Sequence, residues 1–245
     1  MRNIKLVVEY DGSMYHGWQY QENALAIQQV LSQAIKKLTG EAILPDGAGR
    51  TDTGVHALGQ VATFKTESTV PADKFAVALN TYLPGDISIA SSEEVNPDFH
   101  ARFSSVGKHY RYQVFNRTRR SALYHNRAWH VREKLDAEKM NECAQLLVGK
   151  HNFKAFCAAG ATVKTFEREL YSARWTQSAD ELLVFDTTGS GYLYNMVRII
   201  VGTLVEVGKG RLTGDCIREA LSTENRNALG MTAPPHGLYL TEVFY

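Results

Sequence analysis

The segment Asp46-Gly47-Ala48-Gly49-Arg50-Thr51-Asp52-Thr53-Gly54-Val55-His56-Ala57 holds the densest set of groups able to do chemistry. Its three glycines permit tight turns and close approach of backbone to a ligand. Asp52 is a carboxylate that can act as nucleophile or base, with the cation of Arg50 two residues before it. No Gly-Lys-Ser/Thr follows, so this is not a Walker loop, and it is not a helix-opening dinucleotide fingerprint. On these residues alone, a surface turn in which Arg50 and Asp52 face one another is the competing account.

Metal and redox chemistry find little support. The three cysteines, Cys143, Cys157 and Cys216, are spaced by 14 and 59 residues, which fits no zinc pattern, and their odd number argues against a disulfide framework. The eight histidines form no HxxxH or HExxH set. No metal and no cofactor are expected.

Charge points to a polyanion. The chain carries +1 overall, yet Phe99 to Arg132 contains eight cations and no carboxylate, leaving 19 basic and 26 acidic residues elsewhere, a net −7. The cations are Arg102, Lys108, Arg111, Arg117, Arg119, Arg120, Arg127 and Arg132, interleaved with Tyr110, Tyr112, Phe115, Tyr124 and Trp129. Cations for phosphates and aromatics for bases suit an RNA surface, whereas a merely solvated face normally mixes signs.

The elements that must position these groups read as α+β. Residues 4–10 form a strand closed by Asp11-Gly12, and 27–38 show helical spacing capped by Gly40. A strand at 41–44, the glycine-rich loop, a strand at 60–66, a helix from Pro71 through Leu83 and a strand at 87–95 follow. That order is the split β-α-β-β-α-β unit. The second part offers strands at 109–115 and 128–131, a helix at 136–148, and a hairpin of 170–176 with 182–187. Helices at 192–207 and 213–221 and a strand at 238–244 complete it. Two α+β lobes, 1–103 and 104–245, sharing a cleft are expected. With 44% hydrophobic residues, no signal-peptide pattern and no stretch long enough to span a bilayer, a cytosolic enzyme is expected.

Gly49-Arg50-Thr51-Asp52-Thr53-Gly54-Val55-His56-Ala57 resembles the GRTDAGVHA signature of the tRNA pseudouridine synthase A family. The likeness continues through Gln60-Val61 and Phe64, Phe99-His100-Ala101-Arg102-Phe103-Ser104 (FxARFS), Tyr110-Arg111-Tyr112 (YRY) and His151-Asn152-Phe153-Lys154-Ala155-Phe156 (a DFxAF-type segment). Gly191-Tyr192-Leu193-Tyr194-Asn195-Met196-Val197-Arg198 is similar to GxGFLxxMVR, and Ala233-Pro234-Pro235-His236-Gly237-Leu238-Tyr239-Leu240 to APPxGLYL. The blocks stand in family order along nearly the whole chain. Thr53 replaces the usual Ala, a small side chain that should leave the role of the carboxylate unaltered; Ile199 replaces a polar residue, which bears on a peripheral contact and not on the reaction; Thr165 to Arg168 depart from the family's run, so no role is carried onto them.

The resemblance implies a pseudouridine synthase fold of two ferredoxin-like-derived lobes, with antiparallel or mixed sheets flanking a central basic cleft. It implies isomerisation of uridine at positions 38, 39 and 40 of the tRNA anticodon stem-loop by a homodimer, without nucleotide cofactor or membrane. The uracil N1 bond to ribose breaks, the base turns, and C5 takes its place, so no group enters or leaves. Asp52 would serve as nucleophile or base, and Arg198 as the cation offsetting the cost of burying it. Tyr110 would pack on the flipped base and assist deprotonation at C5, leaving Tyr112 as the ordinary strand tyrosine. Arg50 would fill the gap left by the base. Leu238 would wall the pocket, His56 would hold the loop, and Arg102, Lys108, Arg117, Arg119 and Arg120 would bind substrate.

A pure RNA-binding module is the rival from another class, since a ferredoxin-like lobe with basic and aromatic residues also describes one. It leaves Gly49 to Ala57 unexplained. A phosphate-binding nucleotide enzyme is a third reading, weakened by the missing Gly-Lys motif. Conversion of uridine in tRNA without added nucleotide or metal separates all three.

Overall fold

The computed structural model describes residues 1–160, 162–178 and 181–245. They form two compact units, one of residues 1–106 with 239–245 and one of residues 107–238.

In the first unit, β1 (Arg2–Tyr10) alternates inward and outward, burying Ile4, Leu6, Val8 and Tyr10. α1 (Ile27–Thr39) lays Ile27, Leu31, Ala34 and Ile35 into the core and ends where Gly40 adopts the left-handed conformation, φ 80°. β2 (Asp46–Gly47), β3 (His56–Thr66), α2 (Phe75–Asn80) and β4 (Ile87–Val95) follow. β1 lies between β4 and β3, antiparallel to both, and β2 pairs antiparallel with β3. This is the expected split β-α-β-β-α-β arrangement.

Two expected elements differ. The strand anticipated at 41–44 is not in the sheet; β2 is only Asp46–Gly47. Residues 41–44 are tied down by side chains instead: Ser32 Oγ donates to Ile43 O at 2.5 Å, and Thr66 Oγ1 donates to Glu41 Oε1 at 2.9 Å. The helix anticipated from Pro71 through Leu83 is a 3-10 turn over Ala72–Lys74 followed by the short α2. Asn80 ends it, because its amide serves the Ile89 backbone, accepting N–H at 2.7 Å and donating to C=O at 3.0 Å.

The second unit holds β5 (Gly107–Asn116), β6 (Trp129–Val131), α3 (Ala137–Gln145), β7 (Gly149–Asn152), β8 (Glu167–Gln177) and β9 (Leu182–Gly189), then α4 (Met196–Gly208) and α5 (Gly214–Thr223). β9 runs antiparallel between β5 and β8, β7 flanks β8, and β6 lies parallel to β5. β5-α3-β8 is split by β9 as β1-α1-β2 is split by β3 in the first unit. Tyr112, Phe185, Trp175, Phe153 and Phe156 fill its core with the apolar α4. β7 was not anticipated. α3 ends at Gln145, short of the expected 148, and α4 begins at Met196, after the expected 192.

β10 (Leu238–Phe244) runs parallel to β3 in the first unit, with Tyr239 opposite His56 and Leu240 opposite Ala57. The protein is thus α+β with mainly antiparallel pairing and parallel additions at β6 and β10. Among the described residues, no helix is long and apolar enough to cross a membrane.

Candidate active site

The loop between β2 and β3 is fixed from its flanks inward. Ala48 N–H donates to Val61 O at 2.8 Å, and buried Gln60 donates Nε2–H to Gly49 O at 2.9 Å. Thr51 is buried; its Oγ1 meets Tyr10 Oη at 2.7 Å, and its carbonyl accepts Trp18 N–H at 3.1 Å. Val55 N–H closes the turn onto Asp52 O at 3.1 Å, with Gly54 at φ 76°. Asp52 is therefore half-buried between two buried neighbours, Thr51 and Val55, while Arg50 and Thr53 stand exposed.

The segment from Tyr10 to Trp18 is the other wall of this loop. A Cβ on Gly12 would overlap Val55 O, and one on Gly17, at φ 82°, would overlap Thr51 O. His56 is buried, stacked on Tyr239 with centroids 4.7 Å apart. Its Nδ1 accepts Gly12 N–H at 3.0 Å and lies 3.1 Å from Asp11 Oδ1. His56 thus ties the start of β3 to the Asp11–Gly12 turn.

In the second unit, Tyr110 and Tyr112 lie two residues apart on β5 and share one face of the sheet. Tyr110 is buried edge-on against Tyr192, with centroids 4.9 Å apart, and Tyr192 Oη is 3.2 Å from Thr187 Oγ1. Tyr112 donates its hydroxyl to Pro234 O at 2.7 Å. Burial raises its pKa well above the ordinary tyrosine value, against the opposing charge of nearby Arg198. Arg198 donates Nε–H to Ala233 O and Nη1–H to Asn195 Oδ1, both at 2.7 Å. Leu238, at the start of β10, is buried.

The cations of the basic run divide sharply. Arg111 is bound to Asp186, which also meets His109 Nε2 at 2.7 Å. Arg117 turns back on its own loop: Nε donates to Arg119 O at 2.9 Å, Nη2 to Arg120 O at 3.4 Å, and the guanidinium stacks 4.5 Å from the Phe115 centroid. Tyr124 stacks on the same Phe115 ring at 4.8 Å. Arg102, Arg119 and Arg120 are exposed, and Lys108 is half-buried on β5. Among the described residues, no group of three His, Cys, Asp or Glu could hold a metal ion.

Arg50 and Asp52 thus share one loop of the first unit; in the second, Arg198 lies near Tyr112, while Tyr110 packs on Tyr192. Gly17 and Trp18 carry no sequence expectation, and Tyr10, Gly12, Tyr192 and Asn195 were expected only as parts of a strand, a turn or a motif, without a part in the site. The spacing Gly12 and Gly17 around Ser-Met-Tyr-His is the signal that a backbone must pass close there.

The family model for tRNA pseudouridine synthase matches residues 6–104 and 143–245, passing over the stretch that carries Tyr110 and most of the basic run. The chain is 50% identical over 245 residues to a tRNA pseudouridine synthase A from Acetivibrio thermocellus, covering 100% of both. It is 46% identical over 245 residues to proteins of that name from Ruminiclostridium cellulolyticum and Geotalea daltonii, again covering 100% of each chain.

Proposed function

The chain belongs to the tRNA pseudouridine synthase family, isomerases acting on uridine in tRNA, and we propose that its targets are uridines 38, 39 and 40 of the anticodon stem-loop. Asp52 is the essential carboxylate. It either attacks the sugar carbon as the N1 bond breaks and leaves again when C5 bonds to that carbon, or removes a sugar proton as the N1 bond breaks and returns it once C5 has bonded; C5 then gives up its proton and N1 gains one. Atoms balance and no redox partner enters. One observation carries the assignment: Asp52 is half-buried in a loop held by buried Thr51 on one side and, through the turn that Val55 N–H closes onto Asp52 O, by buried Val55 on the other. A carboxylate so held loses little freedom on reaching its reactive geometry.

The other roles follow the family resemblance. Arg198 supplies the positive charge that favours an ionised carboxylate, and its two hydrogen bonds to Asn195 and Ala233 support a fixed rather than a roving guanidinium. Tyr110 packs on the flipped uracil and assists at C5, Leu238 is an apolar wall, and exposed Arg50 takes the place the base leaves. Arg102, Lys108, Arg119 and Arg120 meet phosphates. The enzyme works in the cytoplasm as a homodimer, the latter tested by light scattering of the purified protein.

Pseudouridine mapping of tRNA treated with the wild type and with Asp52→Asn tests the reading. Wild type is expected to convert uridines 38–40 without added nucleotide, and the variant to fall by at least about a hundredfold with tRNA affinity within a few fold. Residual turnover above about one hundredth of wild type overturns the essential carboxylate.

A further inference from the structure

Three features meet at the start of α4. Asn195 occupies the N-cap position in the left-handed conformation, φ 59° and ψ 9°, where an N-cap is ordinarily extended and a non-glycine residue is uncommon. Its side chain makes no capping bond to the helix amides, although asparagine is among the best residues for that task. Instead its Oδ1 accepts Nη1–H of Arg198, one turn further on, at 2.7 Å. The guanidinium is gripped again by Ala233 O at 2.7 Å through Nε, and the Arg198 carbonyl takes Ala233 N–H at 3.0 Å.

We propose that Asn195 is a positioning residue whose left-handed backbone and diverted amide set the plane of the Arg198 guanidinium for the isomerisation step. The proposal rests on the reading that Arg198 serves that step. A guanidinium is a planar fork, so two acceptors at different nitrogens fix its orientation and not merely its place. Ordinary helix geometry would send an N-cap asparagine to the first-turn amides and leave the bond from Arg198 Nη1 to Asn195 Oδ1 unmade. A backbone conformation that is costly and persists beside a functional cation is where such a constraint is expected.

The test compares Asn195→Asp, which keeps the acceptor, with Asn195→Gly, which keeps the backbone freedom and loses the acceptor. Single-turnover pseudouridine formation, tRNA Kd and thermal melting are measured on the full chain, with Arg198→Lys alongside. Asn195→Asp is expected to stay within about threefold of wild type, and Asn195→Gly to lose about tenfold or more in rate with Kd within about twofold. Asn195→Gly at wild-type rate with Arg198→Lys impaired overturns the positioning role alone. Asn195→Gly and Asn195→Asp falling equally overturns it too, because the acceptor is then irrelevant. Full turnover by Arg198→Lys overturns the underlying reading of Arg198 itself.

Discussion

Tyr10 and Thr51 meet hydroxyl to hydroxyl at 2.7 Å in the interior, joining the end of β1 to the residue immediately before Asp52. Burial drives the Tyr10 pKa far above the ordinary tyrosine value, against hydrogen bonds to Thr51 and Gln60 that lower it, so the phenol stays protonated at any working pH. Tyr10→Phe leaves the buried Thr51 hydroxyl short of a partner and is expected to cost about 1–3 kcal/mol in urea unfolding. Single-turnover rate should fall while tRNA Kd holds. A variant as stable and as fast as wild type would show that the loop needs no such tether.

Gly17 and Gly40 form a matched pair for a second test. Both have positive φ, 82° and 80°, but a Cβ on Gly17 would overlap Thr51 O, whereas Gly40 faces nothing within 4 Å. Gly40→Ala should cost about 1 kcal/mol from backbone strain alone and leave turnover intact. Gly17→Ala should cost more and displace the Asp52 loop, seen as a rate loss of at least tenfold, on the order of what a 1 Å misplacement costs. Equal effects from the two would mean that strain, not the overlap with Thr51, decides.

The basic run makes a prediction about salt. Arg119 and Arg120 are exposed, while the Arg117 guanidinium is engaged with its own loop and Phe115. Replacing Arg119 and Arg120 together by Gln should lower the log-log salt slope of tRNA binding by about two, one per phosphate contact. Arg117→Gln should instead quicken amide exchange of residues 118–128 in the free protein. An unchanged slope in the double variant would return these two arginines to the role of a solvated face.

Asp186 provides a pH test. Burial pulls its pKa upward, but hydrogen bonds from His109 and Arg111, aided by their charge, outweigh this and hold it below the ordinary carboxylate value. A depressed folded-state pKa contributes stability that is present above the unfolded value of about 3.9 and is lost as pH falls through the folded value. Asp186→Asn should therefore be clearly less stable than wild type near neutrality, with the gap closing below about pH 4. Thermal melts across pH check this, and a gap that widens in acid would contradict it.

The sequence marks the groups able to do chemistry more readily than the elements that hold them. Period-two and helical spacing, together with Gly40, made β1, α1 and β4 legible, since burial on one face writes itself into the residue pattern. The Asp52 loop was legible because a carboxylate among glycines is unusual. β7 was not, because Gly149-Lys150-His151-Asn152 has no apolar alternation. The start of α4 was misplaced because the apolar run continues through Tyr192 and Leu193, while the left-handed Asn195 delays the helix. Which cations stay available depends on register, such as Arg111 falling opposite Asp186, and no local pattern reveals register between distant strands.

The parallel pairing of β10 with β3 has a consequence for biosynthesis. Tyr239 and Leu240 complete the sheet beside His56 and Ala57, yet all of residues 107–238 separate them from the rest of their unit. Translation at roughly 5–20 residues per second leaves the β10-facing edge of that part of β3 open for on the order of ten seconds after it emerges, though β1 already pairs its other edge. An open strand edge is a template for wrong partners. The speed of the ribosome through the second unit therefore sets how long the entrance to the Asp52 loop stays exposed to mispairing.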